Sequence, residues 1–385
     1  AGAVGYGDMG LIEPELTHPP DGLAQWIAQQ LRCAPYELSL QLVAGDASPR
    51  RYYRVTHSGG VMALDMGEVT SCIAMVSPAS ENNEAFLYVG SRLSDAGVKT
   101  PSVWAQSLQQ GWFLLEDFGD QQLLSRLSSA TAPRFYTSAF AALLRQISMP
   151  CEKADIPQYD APRLRTELDV FPEWFLTGLL RVEIDGAIRQ RFAALSECLI
   201  GSLAEQPSVW VHRDFHSRNL MVLGEGELGV IDYQDAVIGP ITYDPVSLLK
   251  DCYIRWPRRH QLQWLDAYFE KIKLFTKEPP SHAGGIAGQL VDVSAEQFHQ
   301  WFDLTGLQRH LRVLGVFARL HLRDQKSEYL EDLPLVIEYV REALLLTSDF
   351  HNSVADFRGW FESDLMPVIR KQSWHRTIEP EGWVR

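Results

Sequence analysis

Residues 211–223 read VHRDFHSRNLMVL, with His212, Asp214 and His216 at alternate positions and Asn219 close behind. Alternate side chains on an extended strand share a face, so the three could clip a metal ion. Equally, the stretch could be a catalytic loop whose aspartate orients a hydroxyl and whose asparagine ligates a divalent cation. A hydrolytic metal clip needs further His or carboxylate ligands and an open coordination position. His260, His282, His299, His310 and His321 fall on expected helices or loops without paired spacing.

Phosphoryl transfer makes different demands. It asks for a carboxylate beside the attacking hydroxyl and for oxygen ligands that hold magnesium against the phosphates. His212-Arg213-Asp214, followed four residues on by Asn219, has the spacing H-R-D-x-x-x-x-N. A second metal ligand should follow the next hairpin, at the end of an apolar strand, and LGVIDYQDA puts Asp232 there. Asp244, in YDPVSLL, is placed to support the loop from behind. An ordinary cap or loop carboxylate would account for any one of these residues, but not for all of them in order.

The elements around the motif change character along the chain. DGLAQWIAQQLRC (21–33) has the pattern of a short amphipathic helix. Two β-rich runs around Ser58-Gly59-Gly60 read as a hairpin, with the second strand at VMALDM. A helix follows, opened by Asn82 or Asn83 and ended by Gly97, and then a hairpin of SVWAQ and WFLLED. Thr131 and Pro133 open a helix through PRFYTSAFAALLRQIS. Further helices are expected near 163–180, 185–203, 258–277, 296–323, 330–347 and 354–371. Short strands at SVWVH, NLMVL and LGVID interrupt them and carry the motif, while 277–289 is a loop by composition.

Bulk properties narrow the field. A chain of 385 residues, 46% hydrophobic and 22% charged, is long enough for two lobes and suits a soluble globular enzyme. Five widely spaced cysteines without C-x-x-C argue against a disulfide framework and suit a reducing cytoplasm. No secretory leader or membrane-spanning run is expected. A net charge of −14 disfavours extended contact with nucleic acid or anionic membranes, and no obligate protein partner is evident.

HRDFHSRN and VIDYQDA together resemble the aminoglycoside-phosphotransferase/choline-kinase-like branch of the protein-kinase fold, and FLLEDFGD (113–120) is similar to its last N-lobe strand and hinge. Within that branch the chain resembles the bacterial anomeric N-acetylmuramate/N-acetylglucosamine kinases of cell-wall recycling, through GDASPRRYYRV, VMALD, FPEWFL, GLQRHLRVLGVFARLHLRD and YLEDLP. The resemblance implies a bilobal α+β fold, with a small β-rich nucleotide-binding lobe over 1–117 and a mainly helical catalytic lobe over 118–385. It implies ATP between the lobes, Asp214 as the catalytic carboxylate, and Asn219 and Asp232 on magnesium. Glu116 and Phe118 would meet the nucleotide at the hinge.

Asp65 stands where V-A-I-K would place a phosphate-binding lysine. Arg50 or Arg51 could take over that work, or both could be solvated surface charges. Glu84 would then have no lysine partner. His212, His216, Asp235 and Asp244 are assigned to structural support. Glu173, Trp174, Trp301 and Asp303 could contact a sugar or simply pack. Arg309 and Arg312 share a helix face, with His310 well round from Arg309, and could meet the lactyl carboxylate of N-acetylmuramate. Two other functions stay open: a phosphotransferase for a cationic substrate such as choline or an aminoglycoside, which the net acidity favours, and a nucleotide-binding scaffold without turnover.

Overall fold

Residues 18–43, 49–64, 67–152, 154–224, 226–274 and 282–378 are described by the structure, a computed structural model. The chain divides into two compact units, residues 1–83 with 101–117 and residues 84–100 with 118–385.

The first unit is built on a five-stranded antiparallel sheet. Helix α1 (Leu23–Leu31) precedes strands β1 (Leu38–Val43), β2 (Arg51–His57), β3 (Met62–Leu64), β4 (Gly67–Val69) and β5 (Ser71–Val76). The hairpin β6 (Val103–Ser107) and β7 (Trp112–Glu116) completes it, while helix α2 (Asn83–Asp95), between β5 and β6 in sequence, belongs from Glu84 onward to the second unit. The sheet order is β1-β2-β5-β7-β6. On one face, Tyr53, Val55, Cys72, Ala74, Val76, Trp112 and Leu114 pack with Leu23, Ile27 and Leu31 of α1. The strong α1 stripe therefore folds against the sheet rather than standing alone, as a nine-residue helix must.

The structure corrects the expected hairpin around Ser58-Gly59-Gly60. β2 pairs with β1 and β5, and among the described residues β3 pairs with β4 alone, in a separate two-stranded ribbon. The strand beside β2 and β7 is thus SCIAMV, not VMALD. Its central position explains the difference: with neighbours on both edges it carries a near-continuous apolar run. Cys72, Ala74, Met75 and Val76 are all buried. Asp65, compared above with a strand lysine, lies outside the described residues.

The second unit is mainly helical. After α3 (Ala132–Ile147) come α4 (Ala161–Val170), a π-helical stretch Phe171–Leu179, and α5 (Gly186–Ala204). Strands β8 (Ser208–Val211), β9 (Leu220–Val222), β10 (Leu228–Val230) and β11 (Val237–Pro240) form two antiparallel pairs, β8 with β11 and β9 with β10. Helices α6 (Tyr243–Leu249), α7 (Arg258–Leu274), α8 (His282–Gln289), α9 (Ala295–Asp324), α10 (Leu333–Thr347), α11 (Asn352–Trp360) and α12 (Met366–Ile369) complete it. α8 corrects the expectation of a loop over 277–289 for residues 282–289, where glycines hid a helix, while 277–281 lie outside the described residues.

Caps set several starts. Asp160, Asp185 and Ser294 each accept the N–H three residues on, at the heads of α4, α5 and α9. The thirty-residue α9 is the spine of this unit. Gly315 lets it approach α4 closely, since a Cβ there would fall 2.4 Å from the Val170 carbonyl oxygen. Among the described residues, no helix is long and apolar enough to cross a membrane.

Candidate active site

The segment from β8 to β10 turns sharply at two places where an L-residue is strained. Arg213 has φ 78° and Asp232 φ 62°, in the left-handed region that ordinary side chains avoid. Such strain persists only where surrounding bonds over-determine the conformation. Buried Asp244, at the head of α6, accepts the backbone N–H groups of His212 (2.7 Å) and Arg213 (2.9 Å) and the Gln146 side-chain amide (2.6 Å). Ser247 Oγ donates to the Arg213 carbonyl, and Asp251 accepts the N–H groups of Ser217 and Tyr253. His212 bridges the loop: one ring nitrogen lies 3.0 Å from the Ile231 carbonyl, the other 3.3 Å from the Asp214 N–H.

This scaffold brings Asp214, Asn219 and Asp232 together. Asn219 Nδ2 donates to the Asp214 carbonyl at 3.0 Å and lies 3.4 Å from Asp232 Oδ2. Gln234 Nε2 donates to Asp232 Oδ1 at 2.8 Å. His216 stacks edge-on against Tyr253, with a ring nitrogen 3.5 Å from Asn219 Nδ2. Asp235 is exposed nearby.

Electrostatics separate the two carboxylates. Burial alone would raise the Asp214 carboxyl, but Arg312, His216, Arg309 and Arg213 carry it down to about 2. Burial raises the Asp232 carboxyl, Gln234 opposes this, and the like charges of Asp214 and Asp235 add to the rise. Asp232 thus sits in a surplus of negative charge that a divalent cation would relieve. Its carboxylate and the amide of Asn219 are hard oxygen donors of the kind magnesium takes.

Four residues outside the motif complete the surroundings. Arg213 and the Tyr159 hydroxyl both bond to Glu167, and Arg312 Nε lies 3.1 Å from the same carboxylate. Arg309 Nη2 lies 3.8 Å from Asp214 Oδ1, and its Nη1 meets the soft Cys252 Sγ at 3.6 Å. Among the described residues the buried Arg309 Nε has no hydrogen-bond partner. Glu167, Tyr159, Ser247 and Asp251 were invisible to sequence reasoning. The one signal available was the polar residues of the apolar stretch after Asp244.

The remaining candidates scatter. Glu173 is exposed and Trp174 half-buried in the π-helical stretch. Asp303 is buried in ion pairs with Lys250 and Arg258, Trp301 is buried, and His310 bonds the Lys250 carbonyl and stacks on Tyr339. Phe118 packs on the bare backbone of Gly229, where a Cβ would fall 2.4 Å from its ring. Glu84 lies in the first turn of α2. In the first unit, Arg50 is buried with Nε on Ser77 Oγ (3.1 Å), and Arg51 reaches the His18 carbonyl. Glu116 accepts both the N–H and the hydroxyl of Ser102.

Residues 39–284 match the family described as Phosphotransferase enzyme family, and the chain belongs to it. Over 78% of its length the chain is 37% identical to the N-acetylmuramate/N-acetylglucosamine kinase of Pseudomonas aeruginosa, covering 82% of that protein. The protein of the same name from Pseudomonas putida is 36% identical over 80% of this chain and 84% of its own. The fold is similar to that of choline kinase from Cryptosporidium parvum, with a TM-score of 0.59 at 10% identity over 89% of this chain and 99% of that one. The expected α+β protein-kinase-like fold is therefore the fold of this chain.

Proposed function

We propose that the chain is an ATP-dependent amino-sugar kinase that phosphorylates the C1 hydroxyl of N-acetylmuramate and N-acetylglucosamine, in the cytoplasmic recycling of peptidoglycan. The names of its relatives support the substrate class. The observation that carries the reading is the guanidinium set around Asp214: Arg213, Arg309 and Arg312 face two carboxylates, Asp214 and Glu167. Three guanidiniums on this side of Asp214 suit an anionic acceptor better than choline or an aminoglycoside. The choice reverses what net acidity alone would favour, because a local field outweighs a global one at contact distance.

In this reading Asp214 accepts a hydrogen bond from the acceptor hydroxyl and aligns it. Held ionised by its arginines, it is a weak base. That suffices, because an anomeric hydroxyl is more acidic than a primary one and the loose transition state asks little of the nucleophile. Asn219 and Asp232 would hold magnesium, which when bound offsets charge on the transferring phosphoryl group. Of the two helix arginines, Arg312 is engaged by Glu167, whereas Arg309 has donors to spare and is the one placed to take a sugar carboxylate.

The test compares N-acetylmuramate, N-acetylglucosamine, their C1 methyl glycosides, choline and an aminoglycoside in a phosphorus-NMR assay. Phosphorylation of the two free sugars alone is expected, and Arg309→Gln should raise KM for N-acetylmuramate more than for N-acetylglucosamine. A phosphorylated methyl glycoside would move the transfer off C1. ATP bound without turnover on any acceptor would leave a scaffold.

A further inference from the structure

The first unit carries a second cluster of chemically able side chains, separate from the loop around Asp214. Cys33 follows Arg32, the left-handed C-cap of α1, and Glu37 closes the 3-10 turn Pro35–Glu37. His57 ends β2. Leu38 pairs with His57, and the Ser58 N–H donates to the Glu37 carbonyl at 2.8 Å, so the strand ladder itself sets the three side chains together. The Cys33 sulfur, a Glu37 carboxylate oxygen and a His57 ring nitrogen all lie within 4.8 Å of one another, and all three residues are half-buried. Glu37 Oε2 is 3.8 Å from His57 Nε2 and is steadied by the Ala34 N–H at 2.8 Å.

We propose that Cys33, Glu37 and His57 form a site for a borderline-soft divalent cation, zinc in the first place, with water in the fourth position. Mixed sulfur, nitrogen and oxygen donors select zinc over magnesium or calcium. Tetrahedral zinc with bonds of roughly 2.0–2.3 Å needs the three side chains to close by rotamer adjustment, together with one backbone change beside His57. The charges agree: burial, and then Glu37, raise the Cys33 thiol, so a thiolate beside that carboxylate is disfavoured until a cation compensates both. The ion would clip the end of α1 to the β1–β2 hairpin.

Binding requires two proton movements. The Cys33 thiol proton goes to solvent as the sulfur–zinc bond forms. His57 Nδ1 now accepts the Gly59 N–H at 2.9 Å, which keeps the ring proton on Nε2. A cation on Nε2 moves that proton to Nδ1, and the Ser58–Gly59 peptide must turn over to present the Ser58 carbonyl to it. Metal-bound histidines donate from their other nitrogen in this way, and the following Gly59-Gly60 pair is the kind of segment that tolerates the change.

The experiment uses the full chain, stripped of metal, in excess Mg(II) to saturate the Asn219–Asp232 region. Zn(II) is titrated against a chromophoric chelator, and Co(II) is added in parallel. One zinc per chain is expected with Kd on the order of a micromolar or tighter, together with a thiolate-to-cobalt charge-transfer band. One released thiol proton makes the affinity rise about tenfold per pH unit below the thiol pKa. Cys33→Ser should abolish the band and weaken zinc at least about tenfold. Glu37→Gln, which preserves the acceptor for Ala34, should weaken zinc while leaving the thermal melt of the metal-free chain in place. Wild-type zinc binding only at millimolar concentration, or binding unchanged in Cys33→Ser, would overturn the proposal.

Discussion

The five-stranded sheet of the first unit and the loop from His212 to Asp232 of the second are held by opposite means. In the sheet, β5 and β7 bury Cys72, Ala74, Val76, Trp112 and Leu114 against α1, and the attraction is non-directional. In the loop, Arg213 stays in left-handed backbone because Asp244 takes its N–H and that of His212 and Ser247 donates to its carbonyl, while Asp251 takes two further N–H groups. Apolar packing tolerates a change of shape at a graded cost. A directed network loses geometry as soon as one acceptor goes, because the orphaned donors stay buried. Fold and site are therefore separable here by the kind of force that holds each.

Asp214→Asn gives the largest expected effect. It should cut phosphoryl transfer by at least about 10³-fold, since the aligning charge is lost, while the melting temperature moves by no more than about 2 °C. Single-turnover transfer alongside a thermal melt decides this; a rate within tenfold of wild type would remove Asp214 from the reaction.

A matched pair sharpens the contrast. Leu114→Ala in the sheet should cost about 2–5 kcal/mol of stability through its cavity. Asp244→Ala should cost a similar roughly 2–5 kcal/mol by orphaning buried donors. Only Asp244→Ala should also lower kcat, measured under conditions where both variants are folded. Equal losses of kcat would break the distinction between packing and network.

The smallest effect is in pH. His310 is buried and pushed well below its usual range by desolvation and by Arg309. Its stabilisation is present above about pH 6.5 and is lost as pH falls, because the unfolded chain takes up the proton first. Burial would raise Asp303, but Lys250 and Arg258 outweigh it and lower it. That contribution is present above about pH 4 and is lost as pH falls through the folded value. Urea unfolding should therefore show stability declining below about pH 6.5 and again below about pH 4. His310→Gln should flatten the upper step; a profile flat between about pH 6.5 and pH 4 would contradict the His310 assignment, and one flat below about pH 4 would contradict that of Asp303.

Much of this was legible locally. The β6–β7 hairpin, the α3 start at Thr131 and Pro133, and the helices around α5, α9 and α10 follow from period and punctuation. So did the order Asp214, Asn219, Asp232, Asp244, because a metal-assisted transfer needs those residue types at that spacing and the chain can be searched for them. What escaped was partnership. Leu38, Leu40 and Leu42 alternate as an edge strand should, yet whether β2 pairs with β1, β3 or β5 depends on which strand has neighbours on both sides.

The sequence by itself determined the motif, the helix and strand types, and the spacing of residues able to position a hydroxyl and hold a cation. Only the tertiary structure decided which charges meet. Arg309, Arg312, Glu167 and Tyr159 reach the Asp214 loop from helices and turns far away in sequence, and Cys33, Glu37 and His57 converge only once β1 pairs with β2. The physical reason is that local propensity acts over a few residues, whereas a charge is tuned by whatever lies within a few ångströms, and that is set by packing.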